Sequence, residues 1–218
     1  MGATLKILFF MLVVRPVVLV IMGINLRGRE KLPLRGPAVI IANHNSLLDS
    51  LVLMSLYPLR LLPKVRPVAA MDYFVERGGF LKWLCLNCIG IVPFNRSGGG
   101  SVETLFAQCN EVLDRGEILI FFPEGTRGEP EKMGRMKKGI YYLIKDRPDT
   151  QVTPVMMYGI GRTLPKGEGL FVPFNCDVAV GDPLISRDDS VGFLAEISKS
   201  LDDLSQYLIT RRGEADTQ

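Results

Sequence analysis

The sequence contains one histidine, His44, among 218 residues, and this scarcity limits the chemistry available to the chain. Zinc sites draw on histidine, cysteine and clustered carboxylates. With one histidine and no cluster of carboxylates, the sequence offers a poor ligand set, so we expect no metal centre. A general base that titrates near neutral pH must therefore be His44 or a strongly perturbed residue of another type.

Cysteine is also scarce. The four cysteines, Cys85, Cys88, Cys109 and Cys176, are too few and too scattered for a disulfide framework. We therefore expect reduced thiols that face the cytosol. Cys85 and Cys88 have the spacing of a redox or zinc motif, but no second pair accompanies them. Their apolar, helix-like surroundings favour core or membrane-facing side chains instead.

The chain has no strong excess of either charge. Lysine and arginine number 26 against 23 acidic residues, which gives a formal net charge of +3. This balance is too weak to indicate nucleic acid as a partner, but it is compatible with anionic lipid or an acidic carrier protein. Hydrophobic residues make up 47% of the chain, which favours a membrane-associated protein.

The most apolar stretch is near the N-terminus, from Leu5 to Ile24. It has about the 20 residues of a membrane-spanning helix. Arg15 lies at its middle, where a charge costs about 2.5–3.5 kcal/mol on insertion scales, and Pro16 predicts a kink. A bent helix lying in one leaflet and a tilted span both fit, and both make residues 1–25 a membrane anchor ahead of a domain over residues 26–218.

A basic cluster follows this anchor. Such a cluster suits lipid headgroups on the cytoplasmic side, although a solvated linker is the alternative. Its members are Arg27, Arg29, Lys31 and Arg35.

From residue 38 onward, short apolar segments alternate with helix-like ones, which predicts an α/β domain with a largely parallel β-sheet flanked by helices. The predicted strands are 38–42, 67–70, 89–94, 118–122, 152–158 and 176–180. The predicted helices are 47–57, 73–86, 102–115, 137–145 and 190–211. Ser101 and Ser190 are the expected helix N-caps, and Gly116 and Gly213 the expected helix ends.

His44 and Asp49 lie immediately after the first of these strands. If the chain turns between them, the Asp49 carboxylate reaches the imidazole, fixes its tautomer and leaves the other nitrogen free to take a proton from a hydroxyl. The competing interpretation is a capping box, in which Ser46 starts a helix and Asp49 closes back on it.

Two later strands each end near an arginine. Arg96 follows the strand at 89–94, and Arg127 follows the strand at 118–122 after Glu124 and Gly125. The carboxyl ends of parallel strands meet at one edge of a sheet, so we expect both guanidinium groups near His44. Two arginines suit the phosphate of a substrate, whereas surface ion pairs are the alternative. The glycine-rich residues 97–101 are interpreted as a connection rather than a phosphate loop.

In this order, these blocks resemble those of the glycerolipid (PlsC-type) acyltransferase family. The first block is a His and an Asp with four residues between them, as at His44 and Asp49. The second is a glycine followed by an arginine, as at Gly90 and Arg96. The third, Phe-Pro-Glu-Gly-Thr-Arg, is present from Phe122 to Arg127. Weaker matches occur at residues 152–155 and at Lys137-Lys138-Gly139, and the resemblance covers roughly residues 25 to 185.

The resemblance implies transfer of an acyl chain from acyl-CoA or acyl-acyl carrier protein to a lysophospholipid hydroxyl, with 1-acylglycerol 3-phosphate as the leading acceptor. It implies no cofactor beyond that co-substrate and no acyl-enzyme. His44 would act as general base and Asp49 would orient it. The substrate-binding residues would be Arg96, Glu124, Gly125, Thr126 and Arg127. Donors to the oxyanion are expected to be backbone N–H groups near Asn45 or Gly125.

Three other interpretations stay open. A serine or cysteine hydrolase is disfavoured because the chain lacks a Gly-x-Ser-x-Gly elbow and no cysteine adjoins a base. An acyltransferase with another lyso-lipid acceptor fits the same residues. A membrane-bound lipid-binding protein without turnover would need the arginines but not the base.

Overall fold

A computed structural model describes residues 2–46, 48–70, 79–94, 102–128, 133–163, 175–184 and 189–210. Its centre is a seven-stranded sheet in the order β1-β7-β6-β2-β5-β3-β4. The strands are β1 Ile24–Arg27, β2 Ala38–Ala42, β3 Val65–Ala70, β4 Val92–Phe94, β5 Ile118–Phe121, β6 Gln151–Tyr158 and β7 Cys176–Val180. The α-helices are α1 Gly2–Phe9, α2 Asp49–Ser55, α3 Gly79–Leu84, α4 Val102–Asp114, α5 Gly139–Ile144, α6 Ile160–Thr163 and α7 Ser190–Ser205.

The sheet is mostly parallel. Strands β6, β2, β5, β3 and β4 pair in parallel, β7 is antiparallel to β6, and β1 is parallel to β7. The predicted α/β class with a largely parallel sheet and flanking helices is confirmed. All six predicted strands are present. Strand β1 was not predicted, because its four residues, Ile-Asn-Leu-Arg, alternate between half-buried and exposed and lack a continuous apolar run.

Helices cover both faces of the sheet, and β2 lies at its centre. Side chains alternate in direction along a strand, so Ala38, Ile40 and Ala42 join one core with side chains from the helical residues 2–21 and from α2. Val39 and Ile41 join the other core with α4, α5 and α7. Because both faces are covered, every residue of β2 is buried, as its unbroken apolar sequence predicts.

Several predicted boundaries differ from the structure. The strand expected at 89–94 is only Val92–Phe94, because a π-helical segment, Cys85–Ile89, continues α3 and ends at Gly90, whose φ is +75°. Gly116 ends α4 as expected, with φ +68° and its N–H donating to the Leu113 carbonyl. The prediction of Ser190 as an N-cap is wrong, since Asp189 holds that position. Ser101, Gly213 and residues 97–100 lie outside the described residues.

Helix α1 continues through two π-helical segments, Phe10–Val14 and Pro16–Ile21, which flank Arg15. We call residues 2–21 the N-terminal helix. One face of it is buried against the domain, at positions four residues apart: Lys6, Phe10, Val14 and Val18. Lys6 is part of this contact, since its Nζ donates to the Val65 carbonyl at 2.7 Å. The division between an anchor over residues 1–25 and a domain over 26–218 stays a prediction.

The opposite face of the N-terminal helix is exposed and apolar. Helix α3 and the π-helical segment that continues it also expose apolar side chains. We call these side chains the apolar face: Leu8, Met11, Leu12, Val13, Leu19, Phe80, Trp83 and Leu86. Among the described residues, Gly2–Leu19 is the one stretch of helix long and apolar enough to cross a membrane by length and composition. Exposed apolar side chains of this number indicate contact with an apolar partner.

Helix α7 has a side-chain cap at its N-terminus. Asp189 Oδ1 accepts the N–H groups of Val191 and Gly192, and these two bonds lower the pKa of the carboxyl. A lowered folded-state pKa stabilises the protein fully above the unfolded pKa and loses that contribution as pH falls through the folded one. Asp189→Ala should therefore lower Tm at pH 7. The difference from the wild type should shrink below about pH 4, close to the ordinary aspartate pKa. Thermal unfolding across pH tests this, and Asp189→Ser should retain the cap.

Candidate active site

The site begins where β2 ends. Residues 43–46 leave the carboxyl end of this central strand without regular structure. The first of them, Asn43, is buried and bonded in both directions to β6: its Nδ2 donates to the Met157 carbonyl at 2.9 Å, and its Oδ1 accepts the Met157 N–H at 2.8 Å. This pair of bonds fixes the direction in which the chain leaves β2. The loop therefore starts from a rigid position.

His44 and Asp49 meet as the sequence predicts. His44 Nδ1 lies 3.0 Å from Asp49 Oδ2, and a carboxylate at that nitrogen means that Nδ1 carries the hydrogen. Asp49 is 1% exposed, whereas 20% of the His44 side chain is exposed. The structure thus contains a buried carboxylate that orients a solvent-accessible imidazole, with Nε2 left to exchange a proton.

Asp49 also closes the loop. Its Oδ2 accepts the N–H groups of Asn45 at 2.7 Å and Ser46 at 2.9 Å. The bond to Ser46 is the returning half of the predicted capping box, and the same oxygen contacts the imidazole, but the other half of the box is absent. Ser46 itself is not the N-cap: α2 begins at Asp49, and Ser46 Oγ accepts the Leu48 N–H at 3.3 Å within the turn before it.

The Phe-Pro-Glu-Gly-Thr-Arg turn after β5 holds the backbone of His44 on both sides. The His44 N–H donates to Glu124 Oε1 at 2.8 Å, and the His44 carbonyl accepts the Gly128 N–H at 2.9 Å. The Phe122 ring stacks on the imidazole, with centroids 4.2 Å apart and planes 20° apart. The turn therefore fixes the position of the histidine, because it binds the residue through main chain and ring together.

Glu124 is buried between two backbone donors. Its Oε1 accepts from His44, and its Oε2 accepts the Gly134 N–H at 2.7 Å. Burial raises the pKa of this carboxyl, and the two backbone bonds and His44 oppose that rise. The predicted roles in binding a substrate hydroxyl or bracing an arginine stay predictions; the contacts present brace the main chain around His44.

The remaining predicted binding residues follow Glu124. Gly125 has φ +72°, a conformation that favours glycine, and the side chain of Lys137 lies over it. The backbone of Lys137 reinforces this contact by donating to the Pro123 carbonyl at 2.9 Å. Thr126 is exposed and Arg127 is half-buried on the same turn. Arg96 lies outside the described residues, so its position relative to His44 stays a prediction.

The backbone N–H groups of Asn45 and Gly125 themselves both have partners in the fold. The Asn45 N–H donates to Asp49, and the Gly125 N–H donates to the Phe122 carbonyl at 3.0 Å. Each N–H has one hydrogen to give, so these two groups are committed to the loop and the turn. That other backbone N–H groups near Asn45 or Gly125 bind the oxyanion stays a prediction.

Other residues of the site had weaker signals in the sequence. Asn43 holds the loop through its side-chain amide, and Gly128 and Gly134 act through their backbone N–H groups. Nothing in these residue types indicates which partner each has. Phe122 belongs to the matched block, but its stacking on His44 depends on how the two strand ends lie side by side. The register of the two strands does bring Phe122 close to His44, because Ile41 of β2 pairs with Phe121 of β5.

The sequence is similar to those of known acyltransferases. The chloroplastic 1-acyl-sn-glycerol-3-phosphate acyltransferase of Arabidopsis thaliana is 30% identical over 168 residues, which cover 74% of this chain and 43% of the plant protein. The human 1-acyl-sn-glycerol-3-phosphate acyltransferase alpha is 26% identical over 163 residues, 74% of this chain and 54% of that protein. The chain thus spans about half, or less, of the length of these relatives.

The fold also has a solved counterpart. The crystal structure of the 1-acyl-sn-glycerophosphate acyltransferase PlsC from Thermotoga maritima superposes with a TM-score of 0.70, at 20% identity, over 94% of this chain and 79% of that one. A family model described as Acyltransferase matches residues 23–158, which is more than half of the chain and includes both blocks that meet at His44. The chain belongs to the acyltransferase family.

Proposed function

We propose that this protein transfers a fatty acyl chain from a thioester donor to the free hydroxyl of 1-acylglycerol 3-phosphate, giving phosphatidic acid. The observation that carries the proposal is the orientation of the one histidine by a buried carboxylate at the end of the central strand. The names of the relatives, 1-acyl-sn-glycerol-3-phosphate acyltransferases, support this choice of acceptor. The donor is acyl-CoA or acyl-acyl carrier protein.

The reaction proceeds by direct attack. His44 Nε2 takes the proton of the acceptor hydroxyl, and the oxygen forms a bond to the thioester carbonyl carbon. The carbon–sulfur bond then breaks, and the leaving thiolate takes the proton from the imidazolium, so no acyl-enzyme is formed. Asp49 keeps Nδ1–H in place and stabilises the imidazolium between these steps.

Serine does not compete as a nucleophile. Ser46, the serine nearest the pair, is buried, and its Oγ accepts the Leu48 N–H inside the turn before α2. This hydroxyl therefore stabilises the loop. The base is consequently available to a hydroxyl that arrives from outside, which is what a transferase with a soluble or lipid acceptor requires.

The acceptor phosphate is assigned to Arg127 with Arg96, since guanidinium groups bind phosphate through paired hydrogen bonds. A hydrogen bond to a charged group contributes about 1.5–3 kcal/mol. Arg127→Ala should therefore raise KM for 1-acylglycerol 3-phosphate by roughly 10–100-fold with a smaller change in kcat. Arg127→Lys should recover part of the loss. Steady-state kinetics against monoacylglycerol, which lacks the phosphate, provide the control, because that acceptor should respond little to either variant.

The test of the proposed function is an acyl-transfer assay with purified protein in detergent or liposomes. Acyl-CoA and acyl-carrier donors are offered with 1-acylglycerol 3-phosphate, other lysophospholipids and phosphate-free acceptors. Formation of phosphatidic acid is the expected result. Transfer only to another lyso-lipid would keep the chemistry and change the acceptor. A folded protein that binds lysolipid but transfers nothing from either donor would replace the enzyme with a lipid-binding protein.

We further propose that the protein lies on the cytoplasmic face of a membrane, with the apolar face in one leaflet. Lys6 and Arg15 on the opposite face are bonded to the domain, which suits a helix lying in the surface better than one crossing the bilayer. Three of the four residues in the basic cluster also have partners within the domain. Lys31 pairs with Asp182, Arg29 donates to the Leu56 carbonyl, and Arg27 lies over the Tyr207 ring.

Substitutions in the apolar face should weaken membrane binding. Leu12→Asp and Phe80→Asp place charges among apolar side chains, so we expect roughly tenfold or greater loss of partitioning for each. Co-sedimentation with liposomes measures the effect. Val191→Asp, an exposed apolar position on α7, is the matched control and should bind as the wild type does. Protease access to an N-terminal tag from the outside of sealed liposomes should persist; complete protection would indicate a spanning helix.

A further inference from the structure

The carboxyl end of α2 is held by two arginines from the N-terminal part of the chain. Arg15 Nη2 donates to the Tyr57 carbonyl and lies 3.5 Å from that of Ser55. Arg29 Nη2 donates to the intervening Leu56 carbonyl at 3.1 Å. Three consecutive carbonyls at the end of one helix thus face two guanidinium groups.

These carbonyls need such partners. The last four carbonyls of a helix have no N–H partner within the helix. Cations are favoured at that end because the helix dipole is negative there. Leu56 is 4% exposed and Tyr57 is fully buried, so water has little access to this end of α2. Arg15 therefore does not stand as an isolated charge in an apolar helix. It is a fixed part of the domain.

Helix α2 is also packed against the helix that carries Arg15. Val52, Leu53 and Met54 are fully buried and belong to the same core as Phe10, Val14 and Val18. Arg15 lies between those last two positions on the N-terminal helix, so polar and apolar contacts join the same two elements. Contacts with the N-terminal helix therefore help to fix the position of α2 relative to the sheet.

The other end of α2 is the reacting site. Asp49 is its first residue, and the carboxylate holds His44 Nδ1 and two loop N–H groups. The helix has seven residues, about two turns, so we expect a displacement of its carboxyl end, two residues before Tyr57, to shift Asp49 as well. We propose that Arg15, assisted by Arg29, is a positioning residue for the His44–Asp49 pair. This inference rests on the proposed function only for its kinetic readout.

The single histidine makes a direct test possible. Protein labelled with 15N-histidine in detergent micelles gives imidazole signals from His44 alone. In the wild type they should report one tautomer, with hydrogen on Nδ1. In Arg15→Ala they should move towards an average of the two tautomers. The value of kcat should fall about tenfold or more while KM for the acceptor changes less than about twofold, because orientation rather than binding is lost. Arg15→Lys should restore part of both signals.

Matched variants separate positioning from general damage. Arg60→Ala removes an exposed arginine from the segment that follows α2 and should behave as the wild type. Arg29→Ala should change the imidazole signals and kcat in the same direction as Arg15→Ala but less strongly. If Arg15→Ala does not fold, Arg29→Ala and Arg15→Lys together provide the test. Folded variants at both arginines with wild-type imidazole signals would overturn the inference. If the wild type transfers no acyl group, only the proposed function fails, since the imidazole signals still test Arg15.

Discussion

Alanine in place of His44 is expected to lower kcat for acyl transfer by about 10²–10⁴-fold, the usual contribution of a positioned general base. The expectation is large because this is the one histidine of the chain, and its Nδ1 is committed to a buried carboxylate. No second imidazole is available to take over the proton transfer. Initial rates at saturating donor and acceptor measure the effect directly.

Controls for this variant must separate lost chemistry from lost packing. The His44 ring stacks on Phe122, so alanine also removes a ring contact. His44→Gln keeps much of the side-chain volume and should be as inactive as His44→Ala while unfolding at a Tm closer to the wild type. Asp49→Asn should lose kcat as well, because an amide no longer favours the imidazolium. Retention of kcat within about threefold in a folded His44→Gln protein would contradict the assignment of the base.

The sequence predicts the architecture because the signals that define it are local. Continuous apolar runs such as 38–42 and 118–122 identify strands buried on both faces, and a parallel sheet brings their carboxyl ends to one edge. The meeting of His44 with Asp49 follows from five-residue spacing and a turn. Strand β1 escapes prediction because it lies at the edge of the sheet and its four residues alternate between half-buried and exposed positions.

Contacts that join distant segments through the main chain are not encoded in residue type. Arg15 looks like an unfavourable charge in a membrane segment until the end of α2 places two carbonyls, those of Ser55 and Tyr57, beside it. Gly128 and Gly134 look like loop glycines until their N–H groups are found on His44 and Glu124. The sequence shows that a charge such as Arg15 needs a partner, but not which one, and it gives no sign that the two glycines have partners. The partners become visible only in the fold.

Glu124 is the residue for which the fold changes the expectation most. Both of its oxygens accept backbone N–H groups, one of them from His44 itself. Glu124→Ala leaves two such donors without their acceptor. A buried donor left unsatisfied costs about 1–3 kcal/mol, so with two such donors the variant should lose roughly 2–6 kcal/mol of unfolding free energy. It should also lose at least tenfold in kcat, because the loop that carries the base is no longer fixed.

Two further variants decide whether Glu124 braces the loop or binds the acceptor. In Glu124→Gln one amide oxygen still accepts, but the NH₂ group faces a backbone donor, so stability and kcat should both fall by less than in Glu124→Ala. Gly134→Ala leaves Glu124 in the chain but would place its new methyl 2.5 Å from Oε2. Gly134 does not have a left-handed φ, so the methyl acts mainly through that contact.

The bracing role predicts that Gly134→Ala lowers kcat and Tm in the same direction as Glu124→Gln, because both weaken the carboxylate that holds the His44 N–H. A residue that only bound the acceptor hydroxyl would behave differently: Glu124→Gln would raise KM with little effect on Tm, and Gly134→Ala would leave kcat unchanged. Steady-state kinetics and thermal unfolding of the same two preparations separate these outcomes. Since the His44 backbone is bound at its N–H by Glu124 and at its carbonyl by Gly128, we expect the bracing result.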